Sequence, residues 1–171
     1  DIITANIKRC TEACRVLEEC SDQKNISQLR YDLYDLEQRI WATLTRQPLT
    51  GPGVYVISDD PDHLIHCAKS PFVPVVQYRN KVAKKTDIYH TCQHLQPILQ
   101  SLNTLFIVND FMDIAIAIGA DGLHTGQDDI PIPIIRQQLG ETKLIGRSTH
   151  SLDQGLAAQA DGADYVSIGP I

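Results

Sequence analysis

The chain has 171 residues, of which 43% are hydrophobic, enough for one packed domain with an appendage. Its formal net charge of −6 argues against a surface for nucleic acids or anionic membranes, because phosphate groups require clustered lysine and arginine. Since the sequence also has no bilayer-length apolar segment and no secretory signal at its start, DIITANIKRC, we expect a cytoplasmic protein without nucleic-acid or membrane partners.

The first part of the chain has the spacing of two amphipathic helices. Apolar residues recur in steps of three and four from Ile3 to Leu17, and the same rhythm returns from Ile26 to Ile40 after the polar segment SDQKN. This pattern predicts an antiparallel helical hairpin over residues 1–46. Two prolines and two glycines in RQPLTGPG then indicate a linker over residues 47–53.

Six short segments rich in β-branched residues follow the linker: Val54–Ser58, Val73–Tyr78, Leu105–Val108, Gly122–Thr125, Lys143–Ser148 and Tyr165–Gly169. Helix-like segments such as MDIAIAIGA and SLDQGLAAQADGA lie between them. The alternation predicts an α/β fold with a parallel sheet over residues 54–171, either an open doubly wound sheet or a closed barrel. One interval, from Ser58 to Val75, is shorter than a full helix with two loops usually requires.

Oxygen-bearing side chains follow two neighbouring strands where each strand ends. Asn109 and Asp110 come after the third strand, and Gln127, Asp128 and Asp129 come after the fourth. The carboxyl ends of parallel strands meet at one edge of the sheet, so these groups are expected to converge there. Carboxylate and amide oxygens suit Mg²⁺ holding a phosphate better than they suit zinc. The alternative is that Asp110 and Asp129 only cap the helices that follow.

The second strand ends in QYRNK, which places Gln77, Arg79 and Lys81 at alternate positions. If the strand stays extended, these three side chains share a face, and the two cations suit a diphosphate beside a metal. The alternative is a solvated strand end with ordinary surface charge. The fifth strand ends in GRSTH, with Ser148, Thr149 and His150 at its end. The hydroxyl groups of Ser148 and Thr149 suit the oxygens of a phosphate, and the alternative is that they serve as helix caps.

Five motifs in this order and spacing resemble the thiamine-phosphate synthase family over residues 54–171: VVQYRNK, FIVND, AIGADGLHTGQDDIP, LIGRSTHS and GADYVSIGPI. The hairpin segments ANIKRCTEACRVLEEC and QLRYDLYDLEQRI are similar to an extra helical domain that precedes this enzyme in some bacteria, cyanobacteria among them. The resemblance implies a (β/α)₈ TIM barrel, of which six strands are visible here. The family continues beyond SIGPI into a loop and two further strands, so a chain that ended at Ile171 is expected to form an open barrel that cannot turn over.

The function implied by the resemblance is the joining of hydroxymethylpyrimidine diphosphate to hydroxyethylthiazole phosphate, which gives thiamine phosphate and diphosphate. An electron-rich aminopyrimidine supports a benzyl-like cation, so no nucleophilic side chain is expected. By position, the resemblance implies that Arg79, Lys81 and Asn109 bind the diphosphate, that Gln77 faces the pyrimidine and that Ser148 bonds the substrate near the leaving group. The candidate substrate-binding residues are Gln77, Tyr78, Arg79, Asn80, Lys81, Asn109 and Ser148, with Arg79, Lys81 and Ser148 as candidate catalytic residues and Asp110 and Asp129 as candidate Mg²⁺ ligands.

Two other functions remain open from the sequence. One is a paralogue resembling a thiazole tautomerase, which works on the thiazole phosphate without a metal-bound diphosphate. The other is a non-catalytic protein that binds a phosphorylated ligand and associates, as a possible homo-oligomer, through the helical hairpin. The joint presence of Arg79, Lys81, Asp110 and Asp129 favours the synthase.

Overall fold

A computed structural model describes residues 2–20, 24–45, 49 and 52–169 of the chain. The chain forms two compact units, residues 1–46 and residues 47–171. Most of the expected linker lies outside the described residues. Within the described ranges, no helix is both long enough and apolar enough to cross a membrane.

The first unit consists of two helices, α1 (Ile2–Cys20) and α2 (Lys24–Thr45), which pack against each other. Ile7 and Cys14 are buried on α1, seven residues apart and therefore on one helical face. Glu18 accepts a hydrogen bond from Ser27 at 2.5 Å and lies 3.4 Å from the Arg30 guanidinium, so it links the two helices. Apolar residues that the periodicity assigned to the packed face, such as Leu17, remain largely exposed.

The second unit contains six parallel strands in the order β1-β2-β3-β4-β5-β6. The strands are β1 (Tyr55–Ser58), β2 (Val75–Tyr78), β3 (Leu105–Asn109), β4 (Gly122–Thr125), β5 (Leu144–Thr149) and β6 (Tyr165–Ile168). The helices between them are α3 (Pro61–Ala68), α4 (Lys85–Ser101), α5 (Met112–Ile118), α6 (Ile132–Leu139) and α7 (Leu152–Ala160). The six predicted strands and the α/β class are confirmed, with strand ends that differ from the prediction by one or two residues.

The interval between β1 and β2, which is shorter than a full helix with two loops usually requires, holds a short helix. Only Asp59 and Asp60 separate β1 from α3, which has eight residues. The short connection works because the Asp60 carboxylate accepts hydrogen bonds from the backbone N–H groups of Asp62 and His63, and because Pro61 stands at the first helical position.

The sheet curls strongly about its strand direction. In a flat sheet β1 and β6 would lie about 24 Å apart, at roughly 4.8 Å for each strand interval. Instead, the Tyr55 hydroxyl on β1 lies 2.8 Å from the Tyr165 hydroxyl on β6. This contact and the consecutive strand order exclude a doubly wound sheet, whose strand order reverses, and they identify six strands of a TIM-type barrel.

The two faces of the curled sheet carry separate cores. Side chains such as Phe106 and Val108 face outward and pack with the helices. The inward-facing residues Val75, Ile107 and Leu144 form a buried apolar layer, against which Tyr55, Leu105 and Tyr165 pack. Gly146 also lies in the interior, where an added Cβ would stand 2.2 Å from the Tyr165 ring and 2.5 Å from His124 Nδ1. A side chain at this position would occupy the space of that tyrosine.

Candidate functional site

The inner wall of the barrel changes from apolar to polar toward the carboxyl ends of the strands. Gln77 stands two residues beyond Val75 on β2, and Asn109 stands two residues beyond Ile107 on β3. Both polar residues are buried, and side chains two positions apart on a strand point to the same side. The strands therefore place their last inward-facing residues in a polar layer next to the apolar one.

Six side chains form a continuous run of hydrogen bonds in this layer, the interior polar chain. Gln77 Nε2 donates to Asn109 Oδ1 at 2.6 Å, and the Tyr55 hydroxyl donates to Gln77 Oε1 at 2.8 Å. The two tyrosine hydroxyls are 2.8 Å apart. His124 then places Nδ1 3.2 Å from the Tyr165 hydroxyl and Nε2 2.9 Å from Ser148 Oγ. In order, the chain is Asn109, Gln77, Tyr55, Tyr165, His124 and Ser148.

Asp110, the first residue after β3, has an unusual backbone conformation. Its φ of 62° lies in the left-handed region that residues with a side chain seldom adopt. Two hydrogen bonds hold it there, from Asp110 N to His124 O at 2.9 Å and from Phe111 N to Asn109 O at 2.7 Å. Such outliers concentrate at functional sites.

Three charged side chains at this end of the barrel lie close enough to Asp110 to act on its carboxyl group, and we call the four residues the charged mouth: Arg79, Lys81, Asp110 and Asp129. Burial raises the pKa of the Asp110 carboxyl, and the nearby Asp129 carboxylate raises it further. Lys81, Arg79 and a hydrogen bond from the Asn109 side chain oppose that rise in pKa. From the sequence, these four residues are expected to share one end of the barrel, and Asp129, Lys81 and Arg79 each lie near enough to Asp110 to influence the pKa of its carboxyl.

Neither aspartate of the charged mouth caps a helix. Phe111 is the N-cap of α5 and Pro131 that of α6, and neither position has a side-chain cap hydrogen bond. Asp129 Oδ2 instead accepts from the backbone N–H of Gly126 at 2.7 Å, within the loop between β4 and α6. The helix-capping alternative for Asp110 and Asp129 is therefore wrong.

The donor set of the charged mouth fits a hard cation. Two neighbouring carboxylates gain from a divalent ion between them, and Mg²⁺ commonly takes one or two carboxylates and completes its shell with phosphate and water. Across the described parts of the chain, no three His, Cys, Asp or Glu side chains converge on a metal position, so a cation here depends on this pair and on ligands from substrate.

The end of β2 differs from its expected extended form. The strand stops at Tyr78, so Arg79 and Lys81 stand on the following loop and not on alternate strand positions. Tyr78 is buried in the core between the sheet and the helices, opposite Gln77, which separates its side chain from the charged mouth. Asn80 Oδ1 accepts from the backbone N–H groups of Val82 at 3.0 Å and Ala83 at 2.8 Å and thus shapes the loop.

Sequence reasoning missed His124, which stands at the centre of the polar layer. Burial, with Arg147 and Arg79 acting in the same direction, lowers its pKa from 6.5 to about 4. The ring is therefore neutral near pH 7. The sequence carried only a weak signal for it, a single histidine on β4, the strand that precedes Asp129.

Arg147 was also missed, although it lies in the GRSTH motif. Its guanidinium is buried and donates hydrogen bonds to the carbonyl oxygens of Gly126 and, at 2.9 Å, Ile130. These two residues flank Asp129 in the loop between β4 and α6. Arg147 thus holds the loop that carries one carboxylate of the charged mouth.

Two family models match the chain. A model described as thiamine monophosphate synthase matches residues 54–171, and a model described as the ThiD2 family matches residues 1–39. The second match covers most of the segment that the sequence analysis described only as an extra helical domain.

Individual proteins agree with the first match. The thiamine-phosphate synthase of Synechococcus sp. (strain CC9311) is 40% identical over 189 residues, covering 99% of this chain and 53% of the relative. That of Thermosynechococcus vestitus is 38% identical over 182 residues, covering 99% and 52%. The chain thus spans about half the length of the curated relatives it matches.

A solved structure is similar as well. Thiamine phosphate pyrophosphorylase from Pyrococcus furiosus superposes with a TM-score of 0.64 at 29% identity, over 70% of this chain and 61% of that protein. With its six barrel strands, its family match and these relatives, the chain belongs to the thiamine-phosphate synthase family.

Proposed function

We propose that the protein joins hydroxymethylpyrimidine diphosphate to hydroxyethylthiazole phosphate, giving thiamine phosphate and free diphosphate. The observation that carries this proposal is that Arg79, Lys81 and Asp129 all act on the Asp110 carboxyl at one end of the barrel. Two cations beside two carboxylates suit a metal-bound diphosphate, since each sign of charge on the ligand has a partner. The relatives that match 99% of this chain carry the name thiamine-phosphate synthase.

Asp110 and Asp129 are the proposed Mg²⁺ ligands. The ion would neutralise charge on the diphosphate as it leaves. Arg79 and Lys81 stand on the loop after β2 and would neutralise the diphosphate oxygens that face them. The ion pairs of the described residues involve other cations, which leaves these two charges for a ligand.

The chemistry requires binding and charge compensation more than proton transfer. The C–O bond to the diphosphate breaks with both electrons leaving on oxygen, and the thiazole nitrogen supplies the electron pair for the new C–N bond. Gln77, Asn109 and Ser148 belong to the polar layer of the barrel interior. Gln77 would orient the pyrimidine for that attack, Asn109 would help to bind the diphosphate, and Ser148 would bond the substrate near the leaving group. Arginine and lysine charge stabilises the departing oxygens, as preorganised electrostatics does at many active sites.

The reaction would take place in the cytoplasm, in line with the free state of all five cysteines. Its substrates are small phosphorylated molecules, as for the enzyme family to which the chain belongs.

The test is a steady-state assay of the intact protein with both substrates and a titration of Mg²⁺. We expect thiamine phosphate and diphosphate in equal amounts, with a rate that depends on Mg²⁺. Asp110→Ala should lower kcat/KM by at least about a hundred-fold, because it removes a carboxylate of the charged mouth. Asp161→Ala is the matched control, since Asp161 is exposed beyond the far end of α7.

The same assay separates the alternatives. Metal-independent turnover of the thiazole phosphate alone, without diphosphate release, would favour the tautomerase-like paralogue. Binding of the substrates without any turnover, unchanged in Asp110→Ala, would favour a non-catalytic protein. Either result would overturn the proposed function.

A further inference from the structure

The interior polar chain begins at a group that can only accept hydrogen bonds. The Asp110 carboxylate takes a hydrogen bond from the Asn109 side chain, which must present its Nδ2 hydrogens. Asn109 therefore turns Oδ1 toward Gln77, and Gln77 Nε2 donates to it at 2.6 Å. The other end of the Gln77 amide is then an oxygen, which accepts from the Tyr55 hydroxyl at 2.8 Å.

Each later step follows from the number of protons available. A tyrosine hydroxyl has one hydrogen, and that of Tyr55 is used at Gln77, so Tyr165 must donate to Tyr55 across their 2.8 Å contact. With its own hydrogen used, Tyr165 can only accept at His124 Nδ1, 3.2 Å away. Nδ1 therefore carries the proton of the neutral ring.

The far end of the interior polar chain is fixed in the same way. His124 Nε2 has no proton in this tautomer and accepts from Ser148 Oγ at 2.9 Å. Ser167 Oγ lies 3.4 Å from Ser148 Oγ and 3.5 Å from His124 Nε2, so both of its contacts are longer than the one between Ser148 and His124. Ser148 has thus committed its one hydrogen to His124 and retains only acceptor capacity.

We propose that Tyr55 and Tyr165 are positioning residues that hold His124 as the Nδ1–H tautomer and thereby make Ser148 a hydrogen-bond acceptor toward the ligand. A reversed chain would place the Asn109 amide oxygen against the Asp110 carboxylate, two acceptors in contact. This inference deepens the proposed function and rests on it for the ligand, because the amino group of an aminopyrimidine supplies the N–H that such a serine accepts. Diphosphate oxygens have no hydrogen to offer it.

The direction of the chain can be measured in the unmodified protein. In the intact protein with ¹⁵N-labelled histidine, two-bond ¹H–¹⁵N correlation spectra at pH 7.5 distinguish pyrrole-type from pyridine-type ring nitrogens. The His124 signals are assigned by their loss in His124→Gln. We expect a pyrrole-type Nδ1 and a pyridine-type Nε2. A pyridine-type Nδ1, two protonated nitrogens or an averaged pair of signals would overturn the inference.

Tyr55→Phe tests the positioning role itself. This change removes only the hydroxyl group, so the Tyr165 hydrogen becomes free to donate to His124 Nδ1, and the ring should shift to the Nε2–H tautomer. Tyr89→Phe is the matched control, because Tyr89 is a half-buried tyrosine on α4 that packs beside His90. A folded Tyr55→Phe protein that keeps the Nδ1–H tautomer would show that Tyr55 does not set it.

Kinetics connect the tautomer to the ligand. In Tyr55→Phe with the Nε2–H tautomer, His124 donates to Ser148 Oγ. The serine hydrogen is then free to donate to the ligand, so Ser148 no longer prefers a ligand N–H group. We expect the KM for hydroxymethylpyrimidine diphosphate to rise about ten-fold, with a smaller change in kcat. A switched tautomer with unchanged KM would overturn the acceptor role of Ser148. An Nδ1–H ring in a protein that makes no thiamine phosphate would instead overturn the proposed function alone.

Discussion

Two adjacent layers inside the barrel use the same strands for different purposes. The apolar layer of Val75, Ile107 and Leu144 is buried and makes no hydrogen bonds with its side chains. Two residues further along β2 and β3, Gln77 and Asn109 are equally buried but belong to a continuous hydrogen-bonded chain. Side chains two positions apart on a strand point to the same side of the sheet. Two residues further toward the carboxyl end of a strand, a hydrogen-bonding side chain therefore takes the place of a packed apolar one.

The comparison shows why the polar layer is tolerable in a buried position. A buried polar group without a partner costs about 1–3 kcal/mol, and the interior polar chain gives each member a partner on a different strand. The apolar layer has no such requirement and depends only on close packing. We therefore expect substitutions in the apolar layer to lower the free energy of unfolding. Substitutions in the polar layer should have effects that depend on protonation and on bound ligands.

The largest effect on stability is expected from Ile107→Ala in the apolar layer. Ile107 is fully buried, so its truncation leaves a cavity and should lower the free energy of unfolding by about 2–5 kcal/mol. Urea-induced unfolding followed by circular dichroism measures the change. Ile116→Ala on α5 is the matched control, since 47% of Ile116 is exposed and its loss should change stability by roughly 0.5 kcal/mol or less. Equal losses in the two variants would contradict the assignment of Ile107 to a packed layer.

In the polar layer, we expect a stability that depends on pH through His124. Burial lowers the pKa of this imidazole in the folded protein to about 4, whereas the ordinary value is 6.5. As the pH falls between these two values, the unfolded chain binds a proton that the folded protein does not bind, so the folded state loses stability. The loss should reach about 3 kcal/mol near pH 4.

The His124 effect is isolated by comparison with His124→Gln. Unfolding free energies of the wild type and the variant are measured at several pH values, and their difference should narrow as the pH falls, because only the wild type has this penalty. His90→Gln removes a histidine from the exposed side of α4 and serves as a control. If the difference in unfolding free energy between the wild type and His124→Gln did not change with pH, the imidazole would be free to take up its proton in the folded state.

Much of the barrel could be predicted because its signals are local. Each strand is a short β-branched run, and each ends in polar residues at the edge where parallel strands place their ligands. Asp110 and Asp129 could be expected at one edge for this reason alone. The path of the chain after Tyr78 could not be predicted, since whether a strand continues to Lys81 depends on hydrogen bonds formed by its neighbours and by Asn80.

The interior polar chain could not be predicted from local sequence patterns. Tyr55 and Tyr165 are 110 residues apart and stand on the two outermost strands of the sheet, so only its curvature brings their hydroxyl groups together. His124 carried a weak signal, because one histidine in an otherwise ordinary strand does not reveal whether its ring faces the helices or the interior. The same holds for Arg147, whose partners are backbone carbonyl groups that have no sequence signature.

Gly146 lies where the two layers meet, and Gly146→Ala gives the smallest of the three expected effects. An added Cβ would lie 2.2 Å from the Tyr165 ring and 2.5 Å from His124 Nδ1, so the tyrosine must move and weaken the interior polar chain. Overpacking of this kind costs about 1–3 kcal/mol.

The matched control for Gly146→Ala is the same substitution at Gly155, within α7, where an added Cβ has no neighbour within 4 Å. Alanine is the better helix former there by roughly 0.5–1 kcal/mol, so Gly155→Ala should raise the melting temperature whereas Gly146→Ala lowers it. A melting temperature that rises in Gly155→Ala and falls in Gly146→Ala would show that residue 146 must be glycine because of the side chains around it in the barrel interior, and not because of its backbone. If both variants were stabilised, Tyr165 would have room to yield, and the contact between the layers would be looser than the distances imply.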